Sequence, residues 1–252
     1  MENSLNKEKE QHILIDNKIL EKEIEISDIT KKDNIIEIGA GPGNLTIELA
    51  KKANKVLAFE IDEKFKENLD NLKINIEIIY GNALNYSWKG YNKIVSNIPY
   101  SISEPLIWKS ISDEINTIIL IVGENFKKIL FSQHKKIGIL ASLFFNIKPI
   151  LFVGKNCFNP KPRTNSWVIK LERKKQDRIE EILGKILLSK SKTKNAIIYS
   201  LVSKGKTKNQ AKEILKDFKF SNKTLEKPAK RITSKFILKL KENLEKNKAI
   251  QL

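Results

Sequence analysis

An apolar run that leads directly into a glycine-rich turn places the strongest constraint on how this chain can fold. Residues 33–38 (DNIIEI) are rich in β-branched side chains and predict a buried strand. The turn GAGPG follows at residues 39–43, and residues 44–52 then have the spacing of an amphipathic helix. A strand, a glycine turn and a helix in this order form the first half of a βαβ unit, in which a ligand approaches the backbone of the turn closely.

Strands and helices continue to alternate as far as residue 172. Further strands are predicted at residues 55–59, 74–80, 91–96, 117–122, 147–153 and 166–171. Alternation of this kind predicts an α/β domain with a mostly parallel sheet. From residue 173 on the pattern is helical only, so we expect two domains, residues 1–172 and 173–252.

The positive charge of the chain is concentrated in the second of these domains. The whole chain has a formal net charge of +17. Residues 1–172 contain 24 basic and 22 acidic residues, whereas residues 173–252 contain 23 basic and 8 acidic residues. A region this basic favours binding to a nucleic-acid backbone, and the alternative is a lysine-rich surface that only keeps the chain in solution.

Composition also excludes several classes of protein. With no apolar run of about 18 residues, we expect a cytoplasmic protein with no membrane segment. The single Cys157 rules out a disulfide within the chain and is expected to be a small buried apolar residue. Because the two histidines, His12 and His134, lie far apart in sequence, we expect no metal site.

A second candidate site follows the strand predicted at residues 91–96. Its sequence is Asn97-Ile98-Pro99-Tyr100. Proline fixes its own φ and restricts the residue before it, so the Asn97 amide and the Ile98 carbonyl are presented in a set orientation. Two acceptors beside an aromatic ring can bind both hydrogens of a planar exocyclic amine while the ring stacks on the base. Taken alone, the motif is explained equally well by a structural turn.

Polar residues at the ends of the early strands separate two classes of cofactor. A glycine turn alone fits dinucleotides as well as S-adenosylmethionine. Here Glu37 precedes the turn, Glu60 ends the next strand, where a carboxylate can bind ribose hydroxyls, and Gly81-Asn82-Ala83 follows the third strand. With the motif at residues 97–100, this series resembles the class I methyltransferases that modify exocyclic amines. Glu37 could instead hold the glycine turn through backbone N–H groups.

Six motifs in order make the resemblance more specific. They are QHIL at 11–14, EIGAGPGNLT at 37–46, FEID at 59–62, GNAL at 81–84, NIPYSIS at 97–103 and CFNPKPRTNSWVIKL at 157–171. In this order they resemble the rRNA adenine N6,N6-dimethyltransferase family, and archaeal members look most similar. Members of this family dimethylate two adjacent adenines near the 3′ end of small-subunit (16S) rRNA during ribosome biogenesis.

The resemblance implies a fold, a cofactor and partners. It implies a class I (Rossmann-like) methyltransferase domain that binds S-adenosylmethionine, followed by a small all-helical domain that binds rRNA of the pre-30S ribosomal subunit. It covers residues 10–172 and, more loosely, the helical region. We expect a monomer.

The resemblance also implies roles for individual residues. Those implied to bind the cofactor are His12, Leu14, Gly39, Gly41, Glu60, Asn82 and Asn97. Those implied to act at the target amine are Asn97, Ile98, Pro99 and Tyr100. Tyr100 and Phe158 are implied to stack on the flipped base, although Phe158 could instead belong to the core.

Three positions depart from the family pattern. Asn82 stands where the family usually has Asp, and Glu10 stands where it has Gly. Val122-Gly123-Glu124 replaces Gln-Lys-Glu in a loop that borders the target pocket in the family. Asn82 and the altered residues 122–124 keep one alternative open, a non-catalytic RNA-binding assembly factor. A second alternative is the same chemistry on large-subunit rRNA, against which the size of the C-terminal domain argues.

Overall fold

The predicted strands form a central sheet in the computed structural model, which describes residues 11–72, 75–247 and 250. In chain order the strands are β1 (Ile13–Leu14), β2 (Asn34–Ile38), β3 (Lys55–Glu60), β4 (Ile76–Tyr80), β5 (Lys93–Ser96), β6 (Thr117–Gly123), β7 (Phe145–Val153), β8 (Phe158–Asn159) and β9 (Ser166–Arg173). Seven of them form one sheet in the order β4-β3-β2-β5-β6-β9-β7, and β1 pairs with β8. Neighbours from β4 to β6 are parallel and β9 is antiparallel to β6, which confirms the predicted α/β class.

Eleven α-helices are described in the same residues. They are α1 (Asn17–Ile26), α2 (Asn44–Lys52), α3 (Lys66–Asp70), α4 (Ser103–Ser112), α5 (Glu124–Leu130), α6 (Lys136–Phe144), α7 (Arg178–Leu188), α8 (Thr193–Val202), α9 (Lys208–Asp217), α10 (Asn222–Leu225) and α11 (Ser234–Lys246). In the part of the chain that the structure describes, none of the helices is long and apolar enough to cross a membrane.

Contacts group these elements into two units. The first contains the described residues up to Ile129 together with Asn146–Arg173, and therefore the central sheet. The second contains Leu130–Phe145 and the described residues from Lys174 on, and it is helical. The helical unit thus includes α6, which lies between strands in the sequence.

Three local expectations were wrong or incomplete. The apolar spacing of Ile15 and Ile19 predicts that both lie on the first helix, but Ile15 is 56% exposed and lies outside it. The reason is that Asp16 caps α1 by accepting hydrogen bonds from the amides of residues 18 and 19. Helix α6 was not predicted, because seven of its nine residues are buried and its sequence therefore has no apolar–polar period. The expected loop at 122–124 does not exist, since β6 extends to Gly123 and α5 begins at Glu124. For the strand predicted at 74–80, residue 74 lies outside the described residues.

The core of the first unit forms around β2. Its apolar side chains, including Ile35 and Ile36, are fully buried, as expected for a parallel strand that is covered on both faces. On α2, Leu45 and Leu49 lie four residues apart and are buried in the same core. This packing fixes the strand, the glycine turn and the helix relative to one another.

A serine hydroxyl joins the carboxyl ends of β2 and β5. Ser96 is fully buried, and its Oγ accepts the Ile38 N–H at 3.0 Å and donates to the Ile38 carbonyl at 2.6 Å. Ile38 is the last residue before the glycine turn, and Ser96 is the last before Asn97. One side chain therefore holds the starts of both candidate loops side by side.

We expect Ser96→Ala to lower the free energy of unfolding by about 1–3 kcal/mol, because it leaves a buried N–H and carbonyl without their partner. Urea denaturation at neutral pH measures this change. Ser112→Ala is the matched control, since that hydroxyl is exposed and bonds only within its own helix. Equal stability of the two variants would contradict the role of Ser96.

Candidate active site

A cavity in the first unit opens where the parallel strands end. Its volume is about 460 Å³, within the range of small-molecule sites. The predicted site residues that line it are His12, Leu14, Gly39, Gly41, Glu60, Asn82, Asn97, Ile98, Pro99 and Phe158. The side chain of Tyr100 lies outside the described part of the structure, so its stacking role stays a prediction. The position of the cavity agrees with the rule that ligands of open α/β sheets bind at the carboxyl ends of the strands.

The glycine turn forms one wall of this cavity and contacts the loop after β5. Gly39 and Gly41 have φ values of +80° and +54°, which other residues rarely adopt. A Cβ atom on Gly39 would lie 3.8 Å from Cδ of Pro99, so the turn and the Asn97–Tyr100 loop are in van der Waals range. A Cβ atom on Gly41 would meet nothing within 4 Å, so the backbone at this position faces open space that a ligand can fill.

Glu60 holds the glycine turn in place. It is 5% exposed, and its carboxylate accepts backbone N–H groups of Gly41, Ile61 and Asp62, each at 2.8 Å. Since a carboxylate has about four acceptor positions, about one remains for the ribose hydroxyl predicted from the sequence. From the sequence, Glu37 was the candidate for holding the turn through backbone N–H groups. At Gly41, the residue that accepts the backbone N–H is Glu60.

Glu37 lies in the same wall and is 1% exposed. Its Oε2 has no hydrogen-bond partner among the described residues. Burial, together with the charges of Glu23 and Glu60, raises the pKa of Glu37 from its ordinary value of 4.5 to about 8. An unpartnered buried carboxyl beside a cavity suits a ligand that carries positive charge.

The N-terminal segment and the segment around Phe158 form one wall together. Strands β1 and β8 pair Leu14 with Phe158, and Nδ1–H of His12 donates to the carbonyl of Pro160 at 2.8 Å. Phe158 is 4% exposed and packs in the core with Leu14. This agrees with the alternative prediction that Phe158 belongs to the core. It also lines the cavity, so stacking on a base remains a prediction. Cys157, expected to be buried, is half-buried and donates to Asp16.

The turn after β4 is supported by a residue that sequence reasoning missed. Oδ1 of Asn82 caps this turn by accepting the Leu84 N–H at 3.0 Å, which leaves one lone pair for a ligand amine. Trp88 is fully buried, and its Nε1–H donates to the carbonyl of Ala83 at 3.1 Å. Trp88 therefore fixes the backbone of the predicted adenine-binding residues. Its sequence context, NYSWKG, is polar and shows no period that would reveal this contact.

Asn97 has a partner that the sequence did not reveal. In the amide orientation that places Nδ2 of Asn97 toward Glu23, this group donates to Oε1 and Oε2 of Glu23, at 3.1 and 3.3 Å. Glu23 lies on α1 and is fully buried. Because it stands in the charged run EKEIE, its sequence context is that of a solvent-facing residue.

The fold and this site define a class I S-adenosylmethionine-dependent methyltransferase. The chain belongs to a particular family within that class, since the family model "Ribosomal RNA adenine dimethylase" matches residues 2–235.

Curated relatives and solved structures agree with this membership. The "Probable ribosomal RNA small subunit methyltransferase A" of Methanococcus maripaludis strain C7 is 31% identical over 244 residues, covering 88% of this chain and 93% of that protein. The protein of the same name from Pyrococcus abyssi is 34% identical over 177 residues; the match covers 68% of this chain but only 65% of the relative's length. A dimethyladenosine transferase from Plasmodium falciparum is similar in structure, with a TM-score of 0.63 at 25% identity, covering 91% and 96% of the two chains. The 23S rRNA methyltransferase ErmE shares the fold, with a TM-score of 0.62 at 19% identity, covering 93% and 100%.

The residues of the cavity fit S-adenosylmethionine. Gly41 leaves room for a ligand against the backbone, and Glu60 keeps an acceptor position free for a hydroxyl. The unpartnered carboxyl of Glu37 matches the positive charge of the cofactor. Asn82, which also lines the cavity, offers a neutral acceptor where the family usually has a carboxylate, and a neutral acceptor forms the weaker hydrogen bond.

We expect the stability of the free protein to fall as pH rises from about 4.5 to about 8, in part through Glu37. The folded chain keeps this proton up to the raised pKa, whereas the unfolded chain releases it near the ordinary value. The variant Glu37→Gln removes the contribution of Glu37 to this pH dependence. The free energy of unfolding of the variant should therefore fall less than that of the wild type between about pH 5 and about pH 8. Urea denaturation at both pH values measures the difference.

Glu67→Gln is the control for this measurement, because Glu67 is exposed. It should follow the wild-type pH dependence. If Glu37→Gln followed it as well, the perturbed ionisation of Glu37 would be refuted.

Proposed function

We propose that this protein transfers methyl groups from S-adenosylmethionine to N6 of two adjacent adenines near the 3′ end of small-subunit rRNA, acting in the cytoplasm on the pre-30S subunit. The observation that carries the proposal is the meeting of the glycine turn and the Asn97–Tyr100 loop in one cavity, where a Cβ atom on Gly39 would come within 3.8 Å of Cδ of Pro99. The names of the relatives from M. maripaludis and P. abyssi support small-subunit rRNA as the substrate.

The chemistry requires that a weakly nucleophilic amine be held in line with a methyl group. The lone pair of an adenine amine is delocalised into the ring, and two acceptors on its hydrogens favour a pyramidal nitrogen. Oδ1 of Asn97 and the carbonyl of Ile98 supply these acceptors. Among the described residues nothing donates to the Ile98 carbonyl, which leaves it available. The bound cofactor supplies a methyl group on a sulfonium, a good leaving group.

Positioning accounts for most of the rate in this proposal. The amine nitrogen forms a bond to the methyl carbon as the carbon–sulfur bond breaks, and the extra proton on nitrogen passes to water. No strong general base is required, so the contribution of the protein is the in-line geometry. The second transfer repeats these steps on the monomethylated amine, which has one hydrogen left for the acceptors.

The target base must leave its stack to reach the cavity. Unstacking costs a few kcal/mol, and stacking on an aromatic ring recovers part of this free energy. We assign that ring to Tyr100, which follows Pro99 directly, and we assign the second stacking ring to Phe158, one of the aromatic residues that line the cavity.

Tyr100→Ala should therefore reduce methyl transfer by at least about fivefold, because about 1–3 kcal/mol of stacking is removed. Its affinity for S-adenosylmethionine, measured by calorimetry, should stay within about twofold of the wild-type value. Tyr199→Ala, at a tyrosine that is 61% exposed on α8, should leave both unchanged. Wild-type transfer by the Tyr100 variant would exclude the stacking role.

The direct test of the proposed function uses labelled S-adenosylmethionine with under-methylated small ribosomal subunits and, in a separate reaction, with large subunits, followed by digestion of the RNA to nucleosides. Labelled dimethyladenosine in small-subunit rRNA is the expected product. Cofactor binding without methyl transfer would indicate a non-catalytic assembly factor. Label found only on large subunits would indicate that the substrate is large-subunit rRNA.

A basic cavity in the helical unit supports RNA binding by residues 173–252. It has a volume of about 240 Å³, and Phe220 and Phe236 line it with ring centroids 4.3 Å apart. Its four basic residues are exposed, and no ion pair involves them among the described residues; they are Lys227, Arg231, Lys235 and Lys239. No acidic residue in the described part of the chain lines the cavity. Aromatic rings beside unpaired cations suit a stacked base and its phosphates.

Two other lysines of the basic region are less available than these four. Lys192 pairs with Glu226, and Lys204 pairs with Glu181. The proposed RNA-binding surface therefore lies at the cavity between α10 and the first turns of α11.

Lys227→Ala/Lys235→Ala should weaken binding to small-subunit rRNA and make its salt dependence shallower. The slope should decrease by about 0.7–0.9 for each phosphate that these lysines no longer neutralise. Filter binding over a range of salt concentrations measures this slope. Lys212→Ala/Lys216→Ala removes the same charge from exposed positions on α9 and should have a smaller effect. Equal slopes in the two double variants would show that net charge, and not this cavity, determines binding.

A further inference from the structure

The carboxyl group of Glu23 lies directly behind the amide that faces the target amine. Glu23 is fully buried on α1, and both its oxygens lie within hydrogen-bond distance of Asn97 Nδ2. Asn97 lines the cavity, whereas Glu23 is not among the residues that line it. The carboxyl group therefore contacts the catalytic residue without facing the ligand.

An asparagine amide has two ends of opposite character. Its NH₂ group only donates, and its oxygen only accepts. When Glu23 is ionised it accepts from Nδ2, and Oδ1 is then free to accept from the target amine. When Glu23 is protonated its O–H can donate to Oδ1, and the amide then presents a donor toward an amine that also donates. Only the first arrangement permits the mechanism above.

We propose that Glu23 is a positioning residue whose ionised form orients the amide of Asn97, so that Oδ1 faces the target amine. This inference rests on the proposed function. It adds a residue outside the sequence motifs, and it makes the orientation of Asn97 depend on a single proton.

The surroundings of Glu23 place this ionisation in an accessible range of pH. Burial raises the pKa of Glu23 to about 8, against the opposing hydrogen bond from Asn97. The charged groups near this pair are Glu37 on β2, which interacts with Glu23, and Glu60 at the end of β3, which interacts with Glu37. A cofactor with positive charge favours the ionised form of the buried carboxyl groups. Its binding therefore lowers the pH at which half of Glu23 is ionised.

The first measurement is the single-turnover rate of methyl transfer at saturating S-adenosylmethionine between about pH 6 and about pH 9.5. The wild-type rate should rise with pH to a plateau. Glu23→Gln allows both amide orientations at every pH, so its rate should be about tenfold lower at the plateau and lose this rise. At about pH 6, where Glu23 of the wild type is protonated as well, the affinity of this variant for S-adenosylmethionine should stay within about twofold of the wild-type value.

Glu25→Gln is the matched control, since Glu25 is exposed two residues further along the same helix. It should keep the wild-type rate and pH profile. If Glu23→Gln also kept them, the positioning role would be overturned while the proposed function stood.

A second measurement does not depend on activity. The side-chain NH₂ resonance of Asn97, assigned by its loss in Asn97→Asp, should titrate with pH in the wild type and not in Glu23→Gln. A resonance that does not titrate in the wild type would overturn the inference. If that resonance titrates but the wild type transfers no methyl group, the proposed function fails and the coupling of Glu23 to Asn97 stands.

Discussion

The hydrogen bonds between Ser96 and Ile38 are the contact on which the candidate site depends. The glycine turn and the Asn97–Tyr100 loop are 58 residues apart at this contact, and each would be an ordinary strand–loop junction on its own. A buried hydroxyl that both donates to and accepts from one backbone residue fixes their register where the ladder between β2 and β5 ends. The short distance between Gly39 and Pro99 follows from this junction.

Three buried carboxyl groups have different contacts and therefore different roles in the site. Backbone amides surround Glu60, which keeps the turn in shape. Glu37 has an oxygen without a partner among the described residues and faces the cavity, and Glu23 contacts an amide behind it. Their different partners, rather than their common chemistry, give them different roles, because hydrogen bonds stabilise a buried charge and burial alone opposes it. A cationic ligand compensates this concentration of negative charge.

The sequence predicts the parts of this site that follow strand ends, because parallel strands bring their carboxyl ends to one edge. Gly39, Glu60, Asn82 and Asn97 line one cavity as expected, although their individual contacts with ligands stay predictions. Residues that support the site from behind could not be predicted. Ser96 acts through the backbone of Ile38, 58 residues away in sequence, and Trp88 lies in a polar context without a period. The burial of Glu23 depends on tertiary packing that a charged run does not reveal.

The pairing of β1 with β8 has a consequence for the order in which the protein is made. Leu14 and Phe158 are adjacent across this small sheet, although 144 positions separate them along the chain. A nascent chain that ends before Phe158 lacks the partner strand for the segment around Leu14, so this wall of the cavity cannot form before Phe158 has been synthesised. Completion of the cofactor pocket therefore has to await a strand that is made long after β2 and the glycine turn.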